Sequence, residues 1–513
     1  MIFSTLYNVG MTLAAALLPV GKLLGKKARL LIEGQEKINP EELAAWRNSR
    51  EKVIWFHCAS LGEFEQGRPV LEAFREKNPE YGVLLTFFSP SGYEIRKNYP
   101  LADFICYLPL DTARNARKFV AAARPDIAIW VKYEFWPNII GEIRRSGARL
   151  IGISVILRKK QAFFQPWGGF FRETLYRFDH LFVQNQASAE LLDSIGYTRY
   201  QVAGDTRFDR VIATAKDTSE VPGIRGFIES NQGSSGNPPH PEFDPERFSS
   251  SLELTDSNSS GTPDPERFSS SLELTDSNSS GTPDPERFSS SLELTDSNSS
   301  GTPDPERFSS SPELTDGNSS GTPDPGLSTR NSPPGTLHPA PGTKVLVAGS
   351  VWPEDMDVLK PFMAAHPEMK FIIAPHNIKP EQISRWIDET SGLRYSEIDR
   401  HSCENILYID SIGLLARLYK YAGYALVGGG FRTGLHNILE PAVFGIPVFF
   451  GYRKYKKFQE ALDLLDLGVA FTIHGTLEEV FEGLDLAEIR RKADAYVNRN
   501  TGATGKILAY LES

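Results

Sequence analysis

After Gln35 the chain alternates short, continuous apolar runs with longer segments whose apolar positions recur at helical spacing. Val53–His57, Val83–Phe88, Phe104–Leu108, Ile127–Val131, Leu150–Val155 and Leu181–Gln184 are such runs, each bounded by turn residues. An unbroken apolar run of this length reads as a strand buried on both faces, the mark of a parallel sheet covered by helices. Thr112–Ala123 is one of the helical segments between them, with Asp111 as its expected cap. The pattern restarts at Val345–Ala348 and continues through Phe371–Ala374, Ile406–Ile409, Ala425–Val427, Val448–Phe450 and Ala470–Ile473. Two Rossmann-like α/β halves joined by a linker are therefore expected. Ligands of such sheets gather at the carboxyl ends of the strands, so a cleft between the halves is the expected site.

The amino terminus breaks the pattern. Met1 to Gly21 carry no charge and Met11–Leu18 is almost wholly apolar, with Lys22, Lys26, Lys27 and Arg29 following at once. A cleaved signal peptide needs its positive charge before the apolar run, so it fits poorly. The run is just long enough to span a bilayer, and the basic residues behind it place the bulk of the chain in the cytoplasm. Asn8, Gly10 and Pro19 weaken a spanning helix, which keeps an interfacial helix open, and a core helix is the plainer alternative. Attachment to a membrane from its cytoplasmic side is the expectation. The resulting organisation is an anchor and basic flank over 1–35, a first Rossmann-like domain over 36–225, a linker over 226–342 and a second Rossmann-like domain over 343–513.

Charge changes the reading of that linker. The 513 residues carry a formal net charge of −10, yet residues 241–330 alone hold 18 acidic and 5 basic side chains. The remaining 423 residues then hold 47 acidic and 50 basic ones, close to neutrality. Within the acidic stretch the unit PDPERFSSSLELTDSNSSGT recurs with a period of 20, at Pro263, Pro283 and Pro303, after a variant copy near Phe243. Stacked repeats of this length can form a solenoid. Each unit offers only anchors such as Phe268, Leu272 and Leu274, too little apolar surface to offset the entropy of ordering, so a disordered insert is expected. Cys58, Cys106 and Cys403 are too few and too far apart for a disulfide framework.

Candidate chemistry clusters where strands give way to helices. Gly428, Gly429, Gly430 and Gly434 follow the strand Ala425–Val427 and allow close approach of a ligand, although glycines at a sheet edge equally serve as structural turns. His436 to Val443 reads as a helix with Glu440 one turn inside, where a carboxylate can accept from ribose hydroxyls while the helix start favours phosphate. Two further junctions, Asp410–Leu414 and Ala374–His376, end neighbouring strands, and the three together favour nucleotide binding. In the first half, Glu63 begins a helix after the strand Val53–His57. It is placed to act as a general base, its plainer role being to satisfy free helix amides. Arg158, Lys159 and Lys160 precede Phe163, Phe164, Trp167, Phe170 and Phe171, a combination suited to an anionic amphiphile and, less well, to nucleic acid. No H-E-x-x-H motif and no clustered His/Asp set argues for a metal.

These residues also resemble a known family. ASLGE (Ala59–Glu63), YEFWPN (Tyr133–Asn138), QVAGDTRFD (Gln201–Asp209), APH (Ala374–His376) and HNILEPAVFGIPVFFG (His436–Gly451) are similar to segments of the 3-deoxy-D-manno-octulosonic acid (Kdo) transferases, in matching order. The likeness covers nearly the whole chain outside the repeats. It implies a GT-B fold and a membrane-associated, inverting glycosyltransferase that moves Kdo from CMP-Kdo to the lipid A precursor, lipid IVA, without a bound metal or other cofactor. It further implies Glu63 as general base, and Pro375, His376, Ile412, Gly413, Leu414, Asn437, Ile438, Leu439 and Glu440 around CMP. Glu134 falls on the family's second acceptor-side carboxylate, whereas Lys132 replaces the first, and Ser154–Arg158 departs from the family's N-A-R-L-S run. The implied partners are CMP-Kdo, the lipid A precursor and inner-membrane lipids, not nucleic acid. Another GT-B glycosyltransferase, a fold-related nucleotide-sugar epimerase and a non-catalytic nucleotide-sugar-binding membrane protein are the competing readings.

Overall fold

The computed structural model describes residues 2–19, 22, 25–230, 343–398 and 404–513. The expected repeat insert and Cys403 lie outside the described residues. The first half holds seven strands: β1 (Lys52–Cys58), β2 (Tyr81–Phe87), β3 (Phe104–Tyr107), β4 (Ile127–Val131), β5 (Arg149–Val155), β6 (His180–Val183) and β7 (Tyr200–Val202). They pair in parallel in the order β3-β2-β1-β4-β5-β6-β7. The second half repeats the plan with β8 (Val345–Val351), β9 (Lys370–Pro375), β10 (Leu393–Arg394), β11 (Ile406–Tyr408), β12 (Tyr424–Val427), β13 (Val448–Gly451) and β14 (Ala470–Ile473). Its parallel order is β10-β11-β9-β8-β12-β13-β14. Two doubly wound α/β halves are what the apolar runs imply, and the GT-B fold is what the family resemblance implies.

Alternation along a strand explains why the runs are continuous. Val53 and Trp55 enter a core with Phe119, Ile139 and Leu150, while Ile54, Phe56 and Cys58 enter the opposite one with Phe64, Leu71 and Phe74. Both faces being covered, polar positions on the strand have no solvent to face.

The packing crosses the halves in two places. Phe208, Val211, Ala215, Ile224 and Phe227 join the core of the second sheet, although they precede the insert. Ala503, Ile507, Leu508 and Leu511, from the last helix, join the core of the first sheet. Arg149 ties that last helix down by donating to the carbonyls of Tyr510 and Leu511 at 3.1 and 3.2 Å. The expected domain limits at 225 and 343 follow the chain, whereas the cores exchange a helical segment each. Hydrophobic periodicity marks an apolar face without saying which core receives it.

Asp111 does not cap the helix that follows it. Thr112 does so, accepting from Asn115 N, and the helix runs Ala113–Ala123. Asp111 is fully buried and accepts instead from the first amides of the helix Pro137–Arg145.

The amino-terminal helix covers Ile2–Leu17, 16 residues. Among the described residues no helix is long and apolar enough to cross a membrane. Leu6, Leu13 and Leu17 are exposed by 59, 59 and 64%, and Phe3 and Val9 lie on the same side of the helix. The opposite side meets the first half through Tyr7 and Asn8.

Candidate functional site

Glu63 sits at the third position of the helix Leu61–Lys77, which begins where β1 ends. Phe64, Val70, Leu71 and Phe74 bury one face of that helix against the sheet. Gly67 lets it approach closely, since a Cβ there would stand 3.0 Å from Val131 and 3.2 Å from Cys58. Glu63 is thereby held 5% exposed, and its Oε2 accepts from Ser60 N at 3.2 Å, so the capping role is real as well. Burial raises its pKa above the ordinary carboxylate range, while the Lys132 ammonium and the amides of Ala59 and Ser60 oppose that rise.

The loop after β4 brings Glu134 to the same place. Burial raises the Glu134 pKa, the Glu63 charge adds to it, and Lys132 works against both. Lys132 occupies the left-handed region with φ 70°. That conformation is uncommon and costly for a side chain bearing a Cβ, and such strain gathers at functional sites. Ser154 after Gly152 in β5 and Ser350 in β8 share it, with φ 51° and 54°, each at a break in strand register. Three strained residues thus mark the carboxyl ends of central strands in both sheets. Two carboxyl groups and one ammonium, with Glu63 buried and Lys132 and Glu134 half-buried, form a centre where a proton can be taken up near neutral pH.

The second half presents rings and neutral groups instead. Trp352 stacks on His376 at 4.2 Å and 21°, and His376 meets His436 at 4.6 Å. Burial lowers both histidine pKa values, that of His436 to about 4 with His376 assisting, so both imidazoles are neutral near pH 7. Glu440 accepts from Asn437 Nδ2 at 3.1 Å, and burial raises its pKa to about 7. The helix here is shorter than its sequence suggests: it covers only Leu439–Ala442, leaving His436–Ile438 irregular and Glu440 at its second residue. The amides at its start are partly used already, Leu439 N donating to Asn437 Oδ1.

The triple glycine is a packing device. A Cβ on Gly430 would stand 2.5 Å from the Gly451 carbonyl, and one on Gly428 only 2.2 Å from that of Ser350. Asp355, buried at the start of the helix Pro353–Ala365, accepts from Trp352 N at 2.8 Å and Gly429 N at 3.1 Å. The glycines therefore serve close approach within the protein.

Two charged links tie the halves at this place. Arg210 pairs with Glu65 at 2.5 Å, and its charge also reaches Glu440. Arg207, itself partly exposed, bridges the buried carboxylates Asp205 and Glu460, both at 2.8 Å. The triad continues through Gln66, which donates to Asp205 at 3.0 Å, onto the helix that carries Glu63.

Of the residues picked from sequence, Glu63 and Glu134 meet, and so do Asn437 and Glu440. Pro375 ends β9 beside His376, and Ile438 and Leu439 are buried in the core. Ile412 is 92% exposed, Gly413 takes φ 92° and Leu414 packs against the core, an arrangement that leaves one apolar side chain free at the sheet edge. Arg158, Lys159 and Lys160 are exposed. Sequence reading missed Trp352, Asp355, Arg207 and Arg210 as site residues. Trp352 and Asp355 had a signal, since they open a helix just after a strand, as Glu63 does.

Residues 35–210 match the family model for 3-deoxy-D-manno-octulosonic-acid transferase (kdotransferase). The chain is similar to the 3-deoxy-D-manno-octulosonic acid transferase of Chlamydophila psittaci, 22% identical over 445 residues, 83% of this chain and 75% of that protein. With the transferase of the same description from Aquifex aeolicus it shares 36% identity over 89 residues, 17% of this chain and 24% of that one. Among solved structures, the C-terminal CMP-Kdo binding domain of WaaA from Acinetobacter baumannii aligns with 32% of this chain and 89% of its own, at 20% identity and a TM-score of 0.26.

Proposed function

We propose that the chain, which is similar to the Kdo transferases and matches their family model over residues 35–210, moves Kdo from CMP-Kdo to the lipid A precursor, lipid IVA, inverting the anomeric carbon. The observation that carries the mechanism is the burial of Glu63 beside Glu134 and Lys132 at the carboxyl end of the first sheet. In its ionised form Glu63 takes the proton from an acceptor hydroxyl as that oxygen bonds to the anomeric carbon. The bond from that carbon to the phosphate oxygen breaks, and its electron pair leaves with CMP. Inversion needs one base on the face opposite the leaving group. Glu134 and Lys132 hold the acceptor and set how readily Glu63 ionises.

CMP lies on the second half in this reading, with the ribose hydroxyls on Glu440 and Asn437 and the base near His376. The neutral histidines offer hydrogen bonds rather than charge, so Arg210 supplies the positive charge for the departing phosphate. No step calls for a metal or another cofactor. The exposed face of the helix Ile2–Leu17 rests in the headgroup region on the cytoplasmic side of the inner membrane, beside the exposed Trp167. Residues 158–160 add positive charge toward the acceptor's phosphates. The partners are CMP-Kdo, the lipid A precursor and anionic lipid.

The test is to incubate the full chain with CMP-Kdo and the tetraacylated lipid A precursor and weigh the products. A lipid heavier by one or more Kdo residues is the expected result. An unchanged lipid with an altered nucleotide sugar would replace this reading with an epimerase, and no change in either would leave only a binding protein.

A further inference from the structure

The inward face of the helix Ile2–Leu17 is keyed to the first half by polar groups, which a simple tether would not need. Tyr7 donates its hydroxyl to Asp111 Oδ2 at 2.7 Å. The same carboxylate accepts from Asn138 N at 2.9 Å and, through Oδ1, from Ile139 N at 2.7 Å. Asn138 Nδ2 donates both to the Asp111 carbonyl, at 2.6 Å, and to Asn8 Oδ1, at 2.8 Å. Tyr7 also packs its ring on Phe170 at 5.7 Å.

This key closes on the start of the helix Pro137–Arg145, and the loop entering that helix carries Lys132 and Glu134. The loop is braced on its other sides. Phe135 packs against Phe163 and Phe178 at 5.2 and 5.5 Å, Trp136 against Phe88 at 5.1 Å, and Arg177 donates to the Pro137 carbonyl at 2.9 Å. Gln35, from the second helix, clamps the segment before Asp111 by donating to the Leu108 carbonyl at 2.7 Å and accepting from Leu110 N at 3.0 Å.

We propose that Tyr7, Asn8, Asp111 and Asn138 are positioning residues that lock the outward-facing apolar helix to the Glu134 loop, so that the lipid surface under that helix sets the height at which an acceptor headgroup meets Glu63. A side chain that is fully buried, charged and shared between an outer helix and an inner loop transmits position, because neither element can shift without breaking a hydrogen bond to Asp111. The inference rests on the lipid-acceptor reading above.

The experiment compares the full chain with Tyr7→Phe/Asn8→Ala in vesicles of phosphatidylethanolamine and phosphatidylglycerol that contain the lipid A precursor. Neither substitution touches the exposed stripe of Phe3, Leu6, Val9, Leu13 and Leu17, so vesicle binding is retained. Amide exchange over residues 2–17 quickens, and KM for the lipid acceptor rises about tenfold while KM for CMP-Kdo and kcat stay within about twofold, a split that a general loss of stability would not give. Unchanged exchange over 2–17, or faster exchange with an unchanged acceptor KM, would overturn the coupling. Failure of the unsubstituted chain to glycosylate the precursor would instead overturn the function, and the two failures are read from different proteins.

Discussion

The two halves share a parallel, doubly wound plan, with a different strand order at one edge, and differ in what they place at the ends of their strands. The first sheet ends in ionisable groups withdrawn from solvent, Glu63 buried and its neighbours half-buried: Glu63, Lys132 and Glu134 lie close enough for each charge to act on the others. The second ends in stacked neutral rings, tightly packed glycines and one carboxyl group, Glu440, hydrogen-bonded to Asn437. A proton is easily moved in the first setting and a flat, polar ligand is easily held in the second. The same α/β plan thus divides the work by the chemistry of its junctions, and function is read there rather than from the fold.

Substitutions test this division, the most damaging first. Glu63→Gln is expected to lower transfer by about 10³-fold or more, in line with loss of a general base. The fold should persist, because Gln still accepts from Ser60 N. The sign of its pH effect on stability is fixed. A carboxyl whose pKa is raised in the folded state stabilises below its unfolded pKa, and that contribution is lost as pH rises through the folded value. Glu63→Gln should flatten that decline in thermal melts taken from pH 4 to 9.

Arg207→Met attacks the link between the halves. It leaves Asp205 and Glu460 buried without their cation and should cost about 3–5 kcal/mol, read from urea unfolding. A loss no larger than that of an exposed ion pair would mean that the halves are held by their exchanged helices alone.

Lys132→Gln sharpens the contrast by removing the one cation at the first centre. Lys132 favours ionised Glu63, so its loss raises the base's pKa further and moves the acid limb of kcat/KM to higher pH. At pH 7 this lowers transfer by shrinking the ionised fraction of Glu63; recovery at pH 9 would separate it from a folding defect. Glu440→Ala should have the smallest effect, weakening CMP binding by about 1–2 kcal/mol in calorimetry, the size of a lost hydrogen bond. An unchanged affinity would remove the ribose role from the second half.

Much of this was legible in the chain. Parallel strands buried on both faces leave unbroken apolar runs, which is why every central strand was found within a few residues. The short edge strands Tyr200–Val202 and Leu393–Arg394 were not, since two or three half-exposed residues make no run. The helix expected from His436 shrank to Leu439–Ala442, because Asn437 turns its side chain onto the backbone where helical bonds would form. Asp111 stands beside a helix start and looks like its cap, yet its partners lie 27 residues further on and, at Tyr7, 104 residues back. Arg207 and Glu460 are 253 residues apart and leave no local spacing to notice. Charge partners joined only by the tertiary fold are what a linear reading loses.

Transfer by this mechanism requires Glu63 as the base. The direct measurement is the pH dependence of single-turnover transfer, from CMP-Kdo to the lipid A precursor, by the native chain and by Glu63→Gln. The native rate should climb through one ionisation above the ordinary carboxylate range and then level off, while the variant stays slow and nearly flat throughout. A variant that turns over at the native rate, with the same pH limb, would contradict it.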